Sequence, residues 1–283
     1  MKDVIRYGVI GTGMMGVEHI LNINALDGAE VTAISDPETD SRTAGAEAAG
    51  IGEEAVFADH QSLISSDLCD AVVVASPNFT HIDILPDALH GGLHVLAEKP
   101  LCTTVKDCKT VIEATNGYDG VAWMGMEYRY KPPIARLVNE VRAGAVGRVH
   151  MVAIREHRFP FLEKVDHWNR FSRNTGGTLV EKCCHFFDLM NLIIDAEPVR
   201  VYASGGQSVN HLDEVYNGET PDILDNAYVI VDYDNGARAM LDLCMFAEGS
   251  KNEQEIAVTG DVGKVEAFVP EAIVRVGRRS DGS

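Results

Sequence analysis

Residues 5–24 constrain the fold of this chain more than any other stretch. An apolar run, Ile5-Arg6-Tyr7-Gly8-Val9-Ile10, passes directly into Gly11-Thr12-Gly13-Met14-Met15-Gly16, and Val17-Glu18-His19-Ile20-Leu21 continues with helical spacing. A strand that turns into a helix through G-x-G-x-x-G gives each glycine its own task. Gly11 permits the tight turn, Gly13 lets the backbone approach a pyrophosphate, and Gly16 lets the helix close on the strand. The start of the helix then offers unpaired N–H groups, and the positive end of its dipole, to phosphates. Taken alone, the motif also fits an ordinary glycine-rich strand-to-helix turn.

The next strand decides between the two. Glu30-Val31-Thr32-Ala33-Ile34-Ser35 is a second apolar run, and it ends in Asp36, 20 residues beyond Gly16. A dinucleotide fold places there the carboxylate that receives the adenosine ribose hydroxyls. Pro37 and Glu38 follow, so no cation stands next to Asp36 to neutralise a 2′-phosphate, which Asp36 itself would repel. NAD is therefore favoured over NADP. Arg42, on the following helix, is long enough to reach such a phosphate and keeps NADP in view.

Short apolar strands alternate with helical segments up to residue 122. Strands are expected at Arg6–Ile10, Glu30–Ser35, Ala55–Phe57, Ala71–Ala75, His94–Ala97 and Ala122–Met126. Helices are expected at Ser41–Ala49, Ile82–His90 and Val105–Thr115, with Thr80 capping the second of these. Such alternation calls for a parallel sheet covered on both faces, with ligands at the C-terminal strand ends. After residue 147 the strands lengthen and alternate with period 2: Arg148–Arg155, Val199–Gly205, Ala227–Tyr233, Ala237–Met245 and Glu255–Thr259, with Asp234-Asn235-Gly236 as a hairpin turn. Helices interrupt at Pro133–Ala143 and Gly177–Ile194. The expected organisation is an α/β Rossmann domain over residues 1–122, followed by an α+β domain with an open, mostly antiparallel sheet over residues 123–283. An open sheet has a face and edges to cover, often with a second subunit, so a homo-oligomer is expected.

Composition excludes several classes. Lys and Arg number 24 against 43 Asp and Glu, a formal charge of −19 spread along the chain, which argues against nucleic acid as a partner. No apolar run has the length of a membrane span, and the first residues lack the layout of a signal peptide, so a cytoplasmic protein with no membrane partner is expected. The cysteines Cys69, Cys102, Cys108, Cys183, Cys184 and Cys244 contain no C-x-x-C pair and form no disulfide framework. Neighbours on a helix point about 100° apart, so Cys183-Cys184-His185 does not converge on one ion, and no metal site is expected.

Two groups of residues carry chemistry beyond the glycine turn. The first is Ala97-Glu98-Lys99-Pro100, at a strand end that faces the ligand side of the sheet. A lysine there can donate a charged hydrogen bond to a substrate oxygen, and Pro100 holds its backbone extended. The alternative is a solvated lysine after a strand. The second group lies in Gly176-Gly177-Thr178-Leu179-Val180-Glu181-Lys182-Cys183-Cys184-His185-Phe186-Phe187-Asp188. On one continuous helix Glu181, His185 and Asp188 fall at i, i+4 and i+7 and share a face. Carboxylates beside a histidine orient it for proton transfer, although an ion cluster on a helix surface has the same spacing.

GTGMMG, the strand ending in Asp36, Ser76-Pro77-Asn78-x-x-His81, Glu98-Lys99-Pro100 and the Gly-Gly-x-Leu-x-Glu-x-x-x-His-x-x-Asp segment follow one another in the order seen in the Gfo/Idh/MocA oxidoreductases, a family the chain resembles along almost its whole length. The family includes inositol, glucose and other sugar dehydrogenases. The resemblance implies that Lys99 and His185 flank the substrate carbon beside the nicotinamide, with Glu181 as a further catalytic group. It implies a cofactor lining of Gly11, Gly13, Met14, Met15, Gly16, Asp36, Ser76, Asn78, His81, Glu98 and Lys99. Arg129, in Glu127-Tyr128-Arg129-Tyr130, matches the arginine of a family segment near the entry to the second domain. Arg129 and Asp188 are then expected substrate contacts. The loop from Glu156 to Arg173, rich in aromatic and polar groups, is the expected substrate cover, in which Trp168 either stacks on a sugar face as a third contact or serves as a buried anchor.

The chain departs from the family pattern in three places. Glu181 stands where the helix usually has Asp, Cys183 replaces a usual Gly, and the chain stops soon after Val274–Gly277, as a truncated member would. The implied activity is NAD-dependent oxidation of a secondary alcohol on a small sugar or cyclic polyol, in a dimer or tetramer formed through the C-terminal sheet. Redox-neutral glycoside cleavage or epimerisation would use the same residues. A non-catalytic NAD sensor of the same fold would need neither Lys99 nor His185.

Overall fold

β-α alternation in the first part of the chain produces a six-stranded parallel sheet. The computed structural model describes residues 4–281 and divides into two units. The first runs to Gly125 and takes in Arg173–Gly176. The second holds Met126–Ser172 and the described residues from Gly177 onward.

The first unit contains β1 (Ile5–Ile10), α1 (Met14–Asn24), β2 (Ala29–Ser35), α2 (Thr39–Ala49), β3 (Val56–Phe57), α3 (His60–Ile64), β4 (Ala71–Val74), α4 (His81–His90), β5 (His94–Ala97), α5 (Val105–Ala114) and β6 (Ala122–Met124). The strand order is β3-β2-β1-β4-β5-β6. The order reverses between β1 and β4, and that crevice is where a doubly wound sheet receives its ligand. Successive side chains along a strand point to opposite faces, and both faces here are apolar. Val9 and Val73 pack with Ile20, Ile23 and Ile34, whereas Ile10, Val72 and Val74 pack with Ile84, Leu85 and Leu89. The expectation that Thr80 caps α4 is not met. Its backbone is already helical, and its hydroxyl turns back to Pro77 O at 2.7 Å.

The second unit contains α6 (Pro132–Arg142), β7 (Val149–His157), α7 (Ser172–Thr175, which runs into the segment of the first unit), α8 (Thr178–Glu181), α9 (Cys184–Ile194) and the strands β8 (Pro198–Gly206), β9 (Asn226–Tyr233), β10 (Arg238–Cys244), β11 (Gln254–Gly260), β12 (Gly263–Val269) and β13 (Ile273–Arg278). These form a seven-stranded sheet in the order β13-β12-β11-β7-β10-β9-β8, antiparallel except where β7 meets β10. One face carries Val152, Ile154, Val229, Val231, Leu241, Ile256 and Val265, packed with Ile134 and Leu137 of α6 and Phe186 and Leu189 of α9. The opposite face leaves Met151, Tyr202, Tyr228, Ile230 and Met240 exposed. The expected hairpin is present, with Gly236 at φ +85° and its N–H donating to Tyr233 O.

Three expectations need correction. The helix expected over Gly177–Ile194 is broken: α8 ends at Glu181 and α9 begins at Cys184, so Glu181 and His185 do not lie on one continuous helix. The covering loop was expected to start at Glu156, but Glu156 and His157 are the last residues of β7. β12 was not anticipated, although Val265 and Ala267 alternate with Lys264 and Glu266 along it.

Candidate functional site

The glycine turn builds a cradle at the start of α1. Gly11 has φ +89°, and a Cβ there would fall 2.5 Å from the backbone nitrogen of Ser76. A Cβ on Gly16 would fall 1.9 Å from the carbonyl oxygen of Gly11. These two glycines are required by the protein itself. A Cβ on Gly13, in contrast, meets nothing within 4 Å, so the clearance at Gly13 is left for something outside the unit. α1 starts without a capping side chain and without an acid in its first turn, which leaves its positive end available to an anion. Met14 and Met15 lie exposed beside it.

Asp36 is nearly buried, and two amides hold its carboxylate: Thr12 N donates to Oδ2 at 2.8 Å and Glu38 N to Oδ1 at 2.9 Å. Arg42 donates to the carbonyls of Asp36 and Pro37, each at 2.7 Å, and to Thr39 Oγ1 at 3.1 Å. Its guanidinium is thus engaged in closing its own turn. The open Gly13, the uncapped helix start and the fixed acid at the end of β2 fit a dinucleotide without a 2′-phosphate.

The loops after β4 and β5 complete this half. Ser76 is half-buried, and the buried Asn78 donates from Nδ2 to Thr175 O at 3.5 Å. His81 differs from its expected place in the cofactor lining. It has no exposure, its Nδ1 faces Pro100 O at 2.9 Å and Leu101 O at 3.2 Å, and its Nε2 faces Ser76 O at 3.1 Å. It ties the two loops together from beneath. Burial outweighs these carbonyls and pushes its pKa below the ordinary histidine value. Glu98 accepts from Lys99 N at 3.1 Å, and its Oε1 meets Nε2 of His19, on α1, at 2.7 Å. Burial works to raise the Glu98 pKa, but the bond and charge of His19, with Lys99 adjacent, bring it below the usual value. Lys99 follows on the same turn, half-buried.

The second unit holds the other group. His185, the second residue of α9, is 2% exposed and stacks on Tyr128, with centroids 4.1 Å apart and planes 5° from parallel. Its Nε2 lies 3.4 Å from Glu127 Oε2, while Nδ1 is buried. Arg129 grips Asp188 through two N–H donors, one of them Nε to Oδ2 at 2.6 Å. Two of the expected substrate contacts, Arg129 and Asp188, therefore bind each other and fasten the Glu127–Tyr130 turn to α9. Glu181 is buried at the end of α8. Trp168 is half-buried in the turn Val165–Arg170, after Asp166 at φ +50° and His167 at φ +53°. Two successive non-glycine residues in the left-handed region mark a strained segment, a feature that concentrates at functional sites.

Sequence reasoning missed four residues around these groups: His19, Glu127, Tyr128 and Lys182. Glu127 and Tyr128 lay inside the segment singled out for Arg129. His19 and Lys182 gave no signal, because each is tied to a partner far away in sequence. Chemically, the first unit offers an anion cradle and a lysine, and the second offers an imidazole beside a carboxylate.

Two family models match the chain, an oxidoreductase family with an NAD-binding Rossmann fold over residues 5–126 and its C-terminal alpha/beta domain over residues 139–279. Myo-inositol 2-dehydrogenase of Thermotoga maritima is 30% identical over 261 residues, which span 92% of this chain and 74% of that protein. A solved structure of a probable dehydrogenase from Thermotoga maritima has a TM-score of 0.81 and 28% identity, covering 97% of this chain and 81% of that one. Levoglucosan dehydrogenase in complex with NADH has a TM-score of 0.87 at 21% identity, covering 99% and 78%, a likeness of fold.

Proposed function

Since the chain belongs to the Gfo/Idh/MocA oxidoreductase family, we propose that it oxidises a secondary hydroxyl of a sugar or cyclic polyol, inositol-like in form, with NAD. When bound, NAD supplies the hydride acceptor. His185, neutral, takes the hydroxyl proton on Nε2, the nitrogen beside Glu127, because Nδ1 is buried. Lys99, on the ligand side of the first unit's sheet, carries the ammonium suited to stabilise negative charge as it develops on a substrate oxygen. Arg129 and Asp188 hold the Glu127–Tyr130 turn against α9 and keep further lone pairs and N–H groups for neighbouring substrate hydroxyls. Glu181 serves the same end, and Trp168 offers a ring for the sugar face.

The observation that carries this reading is the imidazole of His185, stacked and set beside a carboxylate, in a chain that also has an NAD cradle with space at Gly13. The name of the Thermotoga maritima relative supports a polyol as substrate. Inositols, hexoses and anhydrosugars incubated with NAD or NADP, with NADH or NADPH followed by absorbance, test it. NADH production with a polyol or sugar, faster than with NADP, is expected. Product formed without accumulation of NADH would replace the reading with redox-neutral chemistry. We also propose that the exposed apolar face of the second sheet, with Tyr202, Tyr228, Ile230 and Met240, is the contact of a homo-oligomer, which sedimentation checks. Among the described residues no helix is long and apolar enough to cross a membrane.

A further inference from the structure

Behind His185 lies a charged assembly that the proposed reaction does not use. Glu156 on β7 has no exposure, Gln254 at the start of β11 has 2%, and Lys182, in the break between α8 and α9, has 8%. They converge on one hydroxyl. Lys182 Nζ donates to the Tyr128 oxygen at 2.6 Å, and Gln254 Nε2 donates to the same oxygen at 3.3 Å. Lys182 Nζ also lies 3.1 Å from Glu156 Oε1, with Arg158 Nη1 3.7 Å from that oxygen. Lys131 Nζ sits 3.5 Å from the centroid of the Tyr128 ring and donates to Gln254 Oε1 at 3.3 Å.

A buried lysine–glutamate pair is a poor way to stabilise a core. Desolvation of both charges offsets their attraction, and apolar residues of similar volume commonly do as well or better. What the pair supplies here is direction. Two donors fix the phenol oxygen in position, and hydrogen bonds of this kind weaken steeply when misaligned. The imidazole lies parallel to that phenol and takes its plane from it. Lys182 also lies in the two-residue break, so its anchor sets where α9 starts, and His185 is the second residue of α9.

We propose that Lys182, anchored by Glu156, is a positioning residue that holds Tyr128 and through it fixes the plane of the His185 imidazole. The use of that plane in catalysis rests on the reading of His185 as the base, but its structural test does not. Face-on stacking over a phenol shifts imidazole C–H resonances upfield. With 13C-labelled histidine, the His185 ring signals are assigned by their loss in His185→Asn. The double variant Lys182→Met/Glu156→Gln leaves no lone buried carboxylate, and it is expected to move these signals toward those of exposed histidines while NAD still binds. Tyr128→Phe keeps the ring, loses the oxygen that accepts both bonds and is expected to shift the His185 signals part of the way.

On a substrate found in the panel, kcat of the double variant is expected to fall roughly tenfold to a hundredfold with KM for NAD unchanged. Unmoved His185 signals in a folded double variant overturn the positioning role; where that variant does not fold, unmoved signals in Tyr128→Phe do so. Moved signals in a protein that oxidises nothing in the panel leave the positioning role standing and remove the dehydrogenase reading.

Discussion

His19 and Glu98 meet at 2.7 Å, Nε2 against Oε1, and this bond joins the helix of the glycine turn to the turn that carries Lys99. Lys99 N donates to the other oxygen of the same carboxylate, so Glu98 holds both sides at once. His19→Ala removes one side and leaves the cradle glycines untouched. A lost hydrogen bond to a charged group is worth about 1.5–3 kcal/mol, so NAD binding is expected to weaken roughly tenfold or more, as isothermal titration would read. Unchanged affinity would show that α1 keeps its place without the bond.

The glycines make opposite predictions. Gly16→Ala drives a methyl group into the Gly11 carbonyl, so the fold itself suffers, by roughly 1–3 kcal/mol or more, visible as a lower Tm without ligand. Gly13→Ala meets nothing in the protein. Its Tm without ligand is expected to stay within a degree or two of wild type, while the increase in Tm produced by NAD disappears. Equal damage to both melts would refute this division.

Lys99→Ala and His185→Ala should each reduce turnover by about 100-fold to 10,000-fold with NAD binding retained. Loss of Lys99 also leaves its charge unavailable to the developing oxyanion. Near-wild-type kcat in both variants would remove these residues from the chemistry.

Acid should loosen the first unit in two stages. Burial depresses the pKa of folded His81 below its ordinary 6.5, so its contribution to stability is complete above 6.5 and is lost as pH falls toward the folded value. Glu98 behaves alike at lower pH. Its folded value lies below the ordinary 4.5, so its contribution is complete above 4.5 and disappears as pH falls through the folded value. Thermal melts from pH 8 to pH 3.5 are expected to show a decline beginning near 6.5 that His81→Asn reduces, and a second below 4.5 that Glu98→Gln makes shallower, with Asp59 and Asp70, also held below their ordinary values, supplying the rest. A flat profile between pH 7 and 5 would rule out the histidine stage.

Much of this architecture could be read in advance because its signals are local. The glycines, Asp36 and the period-2 strands each declare themselves within a few residues. The break at Lys182-Cys183 does not, since the flanking residues continue a helical pattern and the partners that Lys182 meets there, Glu156 and Tyr128, come from elsewhere in the chain. Glu156 resembles the charged start of a loop, yet it sits on the core face of β7 because a buried cation meets it. Arg129 and Asp188 read from sequence as two separate substrate contacts, and only the folded chain brings them to each other. Period-2 alternation was also present in β12, where Lys264 and Glu266 on the open face make the run look polar.

The four residues Arg173–Gly176 belong to the first unit although the chain on either side belongs to the second. The polypeptide therefore passes from one unit to the other three times, and no single cut separates them. A fragment ending at Gly125 would lack the Thr175 carbonyl that the buried Asn78 amide uses, and a fragment starting at Met126 would carry a stretch whose companions are missing. A chimera that swaps the second sheet for that of a relative must keep these four residues as they stand, because the loop after β4 is matched to them.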